Sequence, residues 1–450
     1  MSLSDSTVFS RLKPAAAAVM ALVLAAAWAD ATANDHHIRI HRFANIQSLR
    51  EESASPSGHS ASKRYPNPTH ELNVFGKQLK FNLQDNQQVI DTAHSEHAQL
   101  LKGKLEGNNQ SWVRLTKTSK GDQGLIWDGA ELYVIEPAIS IRNNLSQGSD
   151  LPSSDTVIFK MSDTTVDLGT DYCGADTHPS DTSKANVNNG LTTYRALTND
   201  ISNQLTSTPT LRLEMQALAD ASFREKFTND QDAMDALLVR INNIDGIFSS
   251  QLELNVQASN IHIYNKDPGL LSTSNNPNAL LSALAQLRNS SAVMGTYAVT
   301  HLFTGRDLEG ETLGIAYIGN VCNTHYAVGL SEVGNRGAWI DSLVAAHELG
   351  HQLGAVHDGT GACSNSPAQG YLMDSIVNGN SAFSQCSKDT IVANMQSATC
   401  LVPISSMVMN LTTTTETPDP NSAEGGAGSL DMLWLGLLLT LIIYKDQPIV

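Results

Sequence analysis

One stretch of the sequence, His347-Glu348-Leu349-Gly350-His351-Gln352-Leu353-Gly354-Ala355-Val356-His357-Asp358, constrains this chain more than any other. On a helix, His347 and His351 leave the same face about one turn apart. That spacing suits two nitrogen ligands on one tetrahedral zinc ion. Glu348 is turned about 100° away from His347, within reach of a metal-bound water without being a ligand. Gly354 can adopt a backbone conformation closed to other residues, and a sharp turn there would swing His357 back as a third ligand. Three neutral ligands leave zinc its full charge and one open position, which lowers the pKa of a bound water towards about 7. Glu348 is then the expected general base, taking the proton as the water attacks a carbonyl and returning it to the leaving amine. Reading these histidines as chance occupants of a surface helix would make four further matches beyond HExxH a coincidence.

The rest of the chain is consistent with an exported enzyme. Arg11 and Lys13 precede an apolar, Ala-rich run from Ala15 to Ala29, followed by Ala31-Thr32-Ala33. This is the layout of a secretory signal peptide over 1–33. The alternatives are cleavage after Ala29 or an uncleaved anchor, although the run is shorter than the ~20 residues needed to span a bilayer. The net charge is -17, with 45 acidic and 28 basic residues and no basic cluster. That excludes nucleic acid as an expected partner.

Composition divides the chain further. Residues 34–70 are polar and rich in Ser, His and Pro, and read as loop, with His36, His37, His41, His59 and His70 solvated. Residues 71–165 show period-two alternation, as in Leu79–Leu83, Trp112–Leu115 and Leu132–Ile135, and read as a β-rich domain. An Asn-, Thr- and Ser-rich linker covers 177–208. From 209 to 402 strand-like and helical segments alternate, which implies an α/β domain. A helix is expected from Asp230, with Asp230 as its cap. A Thr-, Pro- and Gly-rich linker (403–429) and an apolar tail (430–450) follow.

These features resemble a known family. The extended motif is that of the metzincin zinc proteases, and Met373 in Tyr371-Leu372-Met373-Asp374 matches their Met-turn. From the residue alone Met373 reads as an ordinary core methionine. Asp358 after the third histidine is the choice of the adamalysin/reprolysin (ADAM-like) branch. So are Leu302-Phe303-Thr304-Gly305-Arg306-Asp307, Gly314-Ile315-Ala316-Tyr317-Ile318-Gly319, Val321-Cys322, Phe383-Ser384-Gln385-Cys386-Ser387 and Cys400-Leu401. The resemblance implies an α/β (α+β) catalytic domain with a five-stranded mixed sheet and a long zinc-binding helix, preceded by a β-rich propeptide domain over 34–208. It implies that His347, His351 and His357 bind one Zn2+, that Asp358 anchors the active-site turn, and that protein or peptide substrates are hydrolysed. It also implies disulfides Cys322–Cys400 and Cys363–Cys386. Fewer cysteines follow Asp358 than in many family members, and no disintegrin-like tail follows Cys400. A Ca2+ site is compatible with the family and is not readable here. The chain is expected to act as a monomer.

Of the five cysteines, these pairings leave Cys173, in Tyr172-Cys173-Gly174-Ala175-Asp176. A thiolate is a strong zinc ligand, and the segment 172–176 resembles the cysteine switch of metzincin propeptides. The alternatives are a buried structural thiol or an intermolecular disulfide. Gly425, Gly426 and Gly428 ahead of the apolar tail resemble the GlyGly-CTERM sorting signal of Gram-negative bacteria, although only Lys445 stands where a cluster of Arg is usual. The expectation is a secreted or cell-surface zymogen whose tail is a temporary anchor; a permanent membrane anchor is the alternative. A rival of a different class is a catalytically inactive binding protein with the same fold, against which the intact Glu348 argues. A structural zinc site is the other rival, and such sites usually carry four protein ligands.

Overall fold

Alternation of apolar and polar residues builds the N-terminal half. The computed structural model describes residues 37–46, 69–86, 88–90, 98–146, 151–167, 173–174, 209–271, 273–376 and 379–404. The expected signal peptide, the linker after the cysteine segment and the C-terminal tail lie outside these residues. Strands β2 (Phe43–Ile46), β3 (Thr69–Val74), β4 (Lys77–Asp85), β5 (Gln99–Leu105), β6 (Trp112–Thr118), β7 (Gly121–Trp127), β8 (Leu132–Pro137) and β9 (Thr156–Lys160) form an eight-stranded antiparallel sheet, ordered β2-β9-β8-β7-β6-β5-β4-β3. A short helix α1 (Ala138–Ile141) follows β8, and β1 (His37–Ile40) pairs with β10 (Thr164–Asp167). One face of the large sheet gathers Phe81, Val113, Leu115, Tyr133 and Ile158 into its own cluster. The other face sends Trp112, Trp127, Val134 and Phe159 into a core shared with the C-terminal half.

The expectation of loop over 34–70 is corrected for the described residues 37–46 and 69–70. Ile38 and Ile40 alternate inward in β1, and Ile46 is buried at the end of β2. The Ser- and Pro-rich composition of the region masked these short alternations. His70 is also not solvated: it is buried in β3 and stacks on Phe81 with ring centroids 5.7 Å apart.

The C-terminal half is built on β11 (Leu211–Ala219), β12 (Leu254–Ile263), β13 (Val299–Thr304), β14 (Gly314–Ala316), β15 (Val328–Glu332) and β16 (Val402–Pro403). The expected five strands run in the order β12-β11-β13-β15-β14, and the two-residue β16 adds to the start of β11. All neighbours on the five-strand path are parallel except β14, an antiparallel edge strand, so the sheet is mixed. Helices α2 (Ala221–Glu225), α3 (Asp230–Gln251), α4 (Pro277–Asn289), α5 (Ala338–Gln352) and α6 (Gln385–Ser397) complete it. The cap of α3 is Asn229, whose side chain accepts from Asp232 N, one residue before the expected Asp230. Asn and Asp cap equally well, so propensity does not choose between them. Both disulfides implied by the resemblance are present, Cys322–Cys400 and Cys363–Cys386. Among the described residues no helix is long and apolar enough to cross a membrane.

Two buried ion pairs brace this half of the chain. Arg240 on α3 holds Asp341 on α5 at 2.6 Å, and both are buried, which fixes the two helices together. The run Thr304-Gly305-Arg306 is explained by Asp220, which caps α2 through Phe223 N and accepts from Gly305 N at 3.0 Å. Arg306 Nε stands 3.2 Å from the Asp220 carboxylate. A Cβ at Gly305 would lie 2.2 Å from the Ser222 backbone, so no side chain fits there. These residues are therefore structural. Removing one partner of a buried pair destabilises by roughly 3–5 kcal/mol. Asp220→Ala is expected to lower the melting temperature by roughly 10 °C in scanning calorimetry; a shift of only a degree or two would show that Arg306 finds its support elsewhere.

Candidate metal centre

Helix α5 carries the site because its sequence lets it run through the interior. Every residue from Ala338 to Gln352 is buried, including the polar ones. His347 and His351 point from one face, and the helix ends at Leu353. Gly354 then takes φ +100, with Gly354 N bonded to His351 O at 2.8 Å and Ala355 N to Gly350 O at 3.0 Å. A Cβ at Gly354 would stand 1.7 Å from Asn394 Nδ2 on α6, so both backbone angle and space demand glycine. The reversal brings His357 back: its Nε2 lies 3.2 Å from His347 Nε2 and 3.2 Å from His351 Nε2.

The outer ring nitrogens are fixed. His347 Nδ1 stands 2.7 Å from Leu372 O, and His351 Nδ1 stands 2.7 Å from Ala355 O. A carbonyl can only accept, so each Nδ1 donates and each Nε2 turns a lone pair inward. Burial, then the neighbouring His351 and His357, hold the His347 imidazole well below its usual pKa, against the Leu372 carbonyl. Lone pairs so close in a dry pocket repel each other unless a cation lies between them. Tetrahedral nitrogen ligands at ~2.0–2.1 Å from zinc stand about 3.3 Å apart, and the observed separations match. The residues present therefore fit a zinc ion.

The thiol of Cys173 completes the cluster. Its Sγ lies 3.3 Å from His351 Nε2, and the four ligand atoms of Cys173, His347, His351 and His357 all lie within 4.8 Å of one another. Beside it, Gly174 N donates to Gly314 O at 3.0 Å, so the segment pairs with the edge strand β14. This backbone pairing is not legible in the sequence, where only the thiol stands out.

Glu348 is buried next to the cluster, with the Cys173 thiol as a hydrogen-bonding neighbour of its carboxylate. Burial pushes its carboxyl well above the ordinary range, and the nearby Cys173 thiol works against that shift. Gly314 is the neighbour that sequence reasoning missed. A Cβ there would meet Glu348 Oε1 at 2.5 Å and Cγ at 2.7 Å, so the glycine of β14 makes room for the carboxylate. Against α5, Met373 is fully buried, and its Sδ would stand 2.7 Å from a Cβ on Gly350. The turn carrying it is tied by Asp374 Oδ2, which accepts from Gly370 N and Tyr371 N, and by Asp358 N donating to Met373 O at 2.9 Å. Asp358 accepts from Ser384 Oγ at 2.5 Å, and burial raises its carboxyl against that bond.

Comparison with known proteins agrees with this geometry. Residues 207–398 match a reprolysin-type family model described as Metallo-peptidase family M12. Disintegrin and metalloproteinase domain-containing protein 19 of Mus musculus is 26% identical over 187 residues, 41% of this chain and 20% of that protein. A zinc metalloproteinase/disintegrin of Bitis gabonica is 28% identical over 180 residues, covering 39% of this chain and 54% of that protein. A disintegrin and metalloproteinase with thrombospondin motifs 1 of Bombyx mori is 24% identical over 363 residues, 75% of this chain and 34% of that protein. The matches thus span between a fifth and about half of these relatives. Residues 207–398 form a reprolysin-type M12 metallopeptidase domain, and that family implies a zinc ion.

The tight fit at Gly314 gives a test of where Glu348 must sit. In Gly314→Ala the carboxylate has to move, and a displacement of about 1 Å can lower turnover about a hundredfold. Peptide hydrolysis is expected to fall by that order, with metal content and circular dichroism unchanged. Activity within about twofold of wild type would show that the position of Glu348 is not critical.

Proposed function

We propose that this chain is the precursor of a secreted zinc endopeptidase that hydrolyses peptide bonds in proteins. The observation that carries the reading is the convergence of three imidazole Nε2 atoms, His357 standing 3.2 Å from each of the other two, beside the buried Glu348 carboxylate. His347, His351 and His357 would hold the ion. When bound, the ion supplies a Lewis acid that acidifies a water and polarises a carbonyl. Glu348 takes the proton and passes it to the leaving amine. Asp358 and Met373 keep the His357 turn seated against α5. The antiparallel edge strand β14 offers its backbone to an extended substrate, and in the precursor Gly174 already uses Gly314 O.

Latency arises from the same contacts. Residues 1–33 are read as a signal peptide, 34–208 as the propeptide, 209–402 as the protease, and the segments beyond as a linker and a sorting tail. Cys173 would occupy the position that a water needs, with its chain blocking β14. Cys173 with three histidines is also a closed four-ligand set, as structural zinc sites are. The fourth ligand, however, belongs to the segment that a cut in the 177–208 linker would separate from the protease.

Two substitutions test the reading. Glu348→Gln is nearly isosteric and cannot accept the proton, so it should keep zinc and fold and lose a factor of about 10²–10⁴ in turnover. More than about a tenth of wild-type rate would rule Glu348 out as the base. Cys173→Ser should give a precursor that hydrolyses peptides before any cleavage, because a neutral hydroxyl is a far weaker zinc ligand than a thiolate. A fully latent Cys173→Ser precursor would mean that the β domain blocks the cleft by shape alone.

A further inference from the structure

The backbone of β14 faces two ways. Leu313 O accepts from Glu332 N at 2.7 Å and Tyr317 N donates to Val328 O at 3.3 Å, both towards β15. Gly314 O points the other way and accepts from Gly174 N at 3.0 Å. Along a strand, successive residues turn their N–H and C=O groups to opposite edges. The N–H and C=O of Ala316 therefore face outward with Gly314 O, as a backbone rail for an extended chain.

The side chains of β14 alternate between two faces. The Gly314 position looks at Glu348 on α5. Ile315 lies on the opposite face, clustered with Leu281 and Leu284 of α4 and with Leu330, and Tyr317 packs against this cluster. Gly174 shows where a side chain on the outer edge would go. A Cβ there would stand 3.0 Å from Ile315 Cδ1 and 3.4 Å from Cγ1. The position opposite Gly314 is thus turned onto Ile315 and is tight. Two residues along an extended chain, roughly 6.6 Å away, the next side chain on that face comes level with Tyr317.

Tyr317 has an aromatic neighbour. Tyr326, in the segment leading into β15, meets it edge to face, with ring centroids 5.6 Å apart and planes at 90°. Tyr326 is 52% exposed, the one exposed Phe, Trp or Tyr among the described residues. Its backbone is nevertheless held. Tyr326 N donates to Asn323 Oδ1 at 2.9 Å, Tyr326 O accepts from Val328 N at 2.8 Å, and the Cys322–Cys400 disulfide ties down the same segment. A ring fixed before binding gives contact area at little cost in ordering. Burial, then Tyr326, raises the Tyr317 hydroxyl above its ordinary pKa, so that ring stays neutral. A neutral ring pair that continues an apolar cluster suits an apolar or aromatic side chain.

We propose that Ile315, Tyr317 and Tyr326 set the sequence preference of this edge: a small substrate residue beside Ile315, and an aromatic or large aliphatic residue two positions along, seated on the Tyr317–Tyr326 pair. The inference deepens the reading of the chain as an endopeptidase and rests on it. To test it, the full chain is cut to completion in the 177–208 linker through an inserted recognition sequence for a site-specific protease. A peptide library randomised over several consecutive positions is then digested, and the products are read by mass spectrometry.

Wild type should favour Phe or Leu over Ala at one position by about three- to tenfold, and Gly or Ala over Leu two positions away by about tenfold. Tyr326→Ser should bring the ratio of Phe to Ala within about twofold of unity, and Tyr326→Phe should retain it. Tyr317→Leu keeps an apolar contact with the cluster and should lower the same ratio. Ile315→Ala should admit Leu at the small position and leave the aromatic preference in place. A library without this pair of preferences at this spacing would overturn the proposal. So would a preference for Lys, Arg, Asp or Glu at the aromatic position, or a Phe preference that survives both Tyr326→Ser and Tyr317→Leu. Binding separates the subsite from the endopeptidase reading. In Glu348→Gln, fluorescence anisotropy of labelled peptides should give the same order of affinities without cutting. Peptides bound in that order and cut by no version of the chain would keep the subsite and refute the endopeptidase. Peptides cut without regard to either position would do the reverse, and peptides neither bound nor cut would overturn both.

Discussion

Three imidazole Nε2 atoms brought to one point, with His357 Nε2 3.2 Å from those of His347 and His351, are the arrangement on which the rest of this structure depends. The lone pairs that His347 and His351 turn inward disfavour one another without a cation, and burial denies them the water that would ease this. The surroundings therefore have to hold the rings in place and fix their tautomers. Leu372 O and Ala355 O do the second task by accepting from Nδ1. The first falls to backbone geometry. Gly354 reverses the chain, Asp358 N ties the far side of His357 to Met373 O, and Gly350 lets the Met373 sulfur lie against α5. Any ion held there would couple its binding to folding, since these residues are arranged by contacts that the unfolded chain lacks.

Helix α5 is in turn held from outside the M12 domain as well as from within. Arg240 grips Asp341 from α3, while Glu136 reaches the first turn from the β domain. Burial raises the Glu136 carboxyl to about 7, with Arg240 pulling the other way. A carboxyl whose pKa is raised in the docked state favours docking at low pH, where it is protonated on both sides of the equilibrium or only when docked. That contribution is lost as pH rises through about 7. Burial sets the direction of this shift, Asp341 adds to it, and Arg240 with the backbone of Trp339 and Ala338 opposes it.

What could be read from the sequence was whatever chemistry is local along the chain. HELGHQLGAVHD specifies its own geometry, because helix pitch and one glycine place the three rings. Strand alternation gave β4, β6 and β8, and the helical spacing gave α3 to within a residue of its cap. The disulfides were legible only through the resemblance, since five cysteines allow several pairings. Features that need distant partners stayed hidden. Asn86, Arg114 and Asn242 look like ordinary polar surface residues until β6 is laid on α3. His70 reads as solvated until Phe81 is opposite it. Gly314 stands only as part of a family-like run until Glu348 is seen pressed against it.

The thiol illustrates how the two kinds of information combine. Counting cysteines leaves Cys173 over, and chemistry says that a thiolate ligates zinc, but neither says that it reaches this cluster. The backbone supplies the missing step. Gly174 N bonded to Gly314 O places the segment along β14, the strand whose glycine makes room for Glu348. One short stretch therefore meets both the metal-ligand cluster and the strand beside the carboxylate. A side chain alone could be displaced by a competing ligand, and a strand pairing alone by a substrate. Carried on one short segment, the two contacts reinforce each other as an intramolecular pair does, through a high effective concentration. Loss of the thiol would leave the strand pairing and the α3 face in place. The packing of the β domain on α3 and the approach of the Cys173 thiol to the histidines are for that reason separable features of one interface.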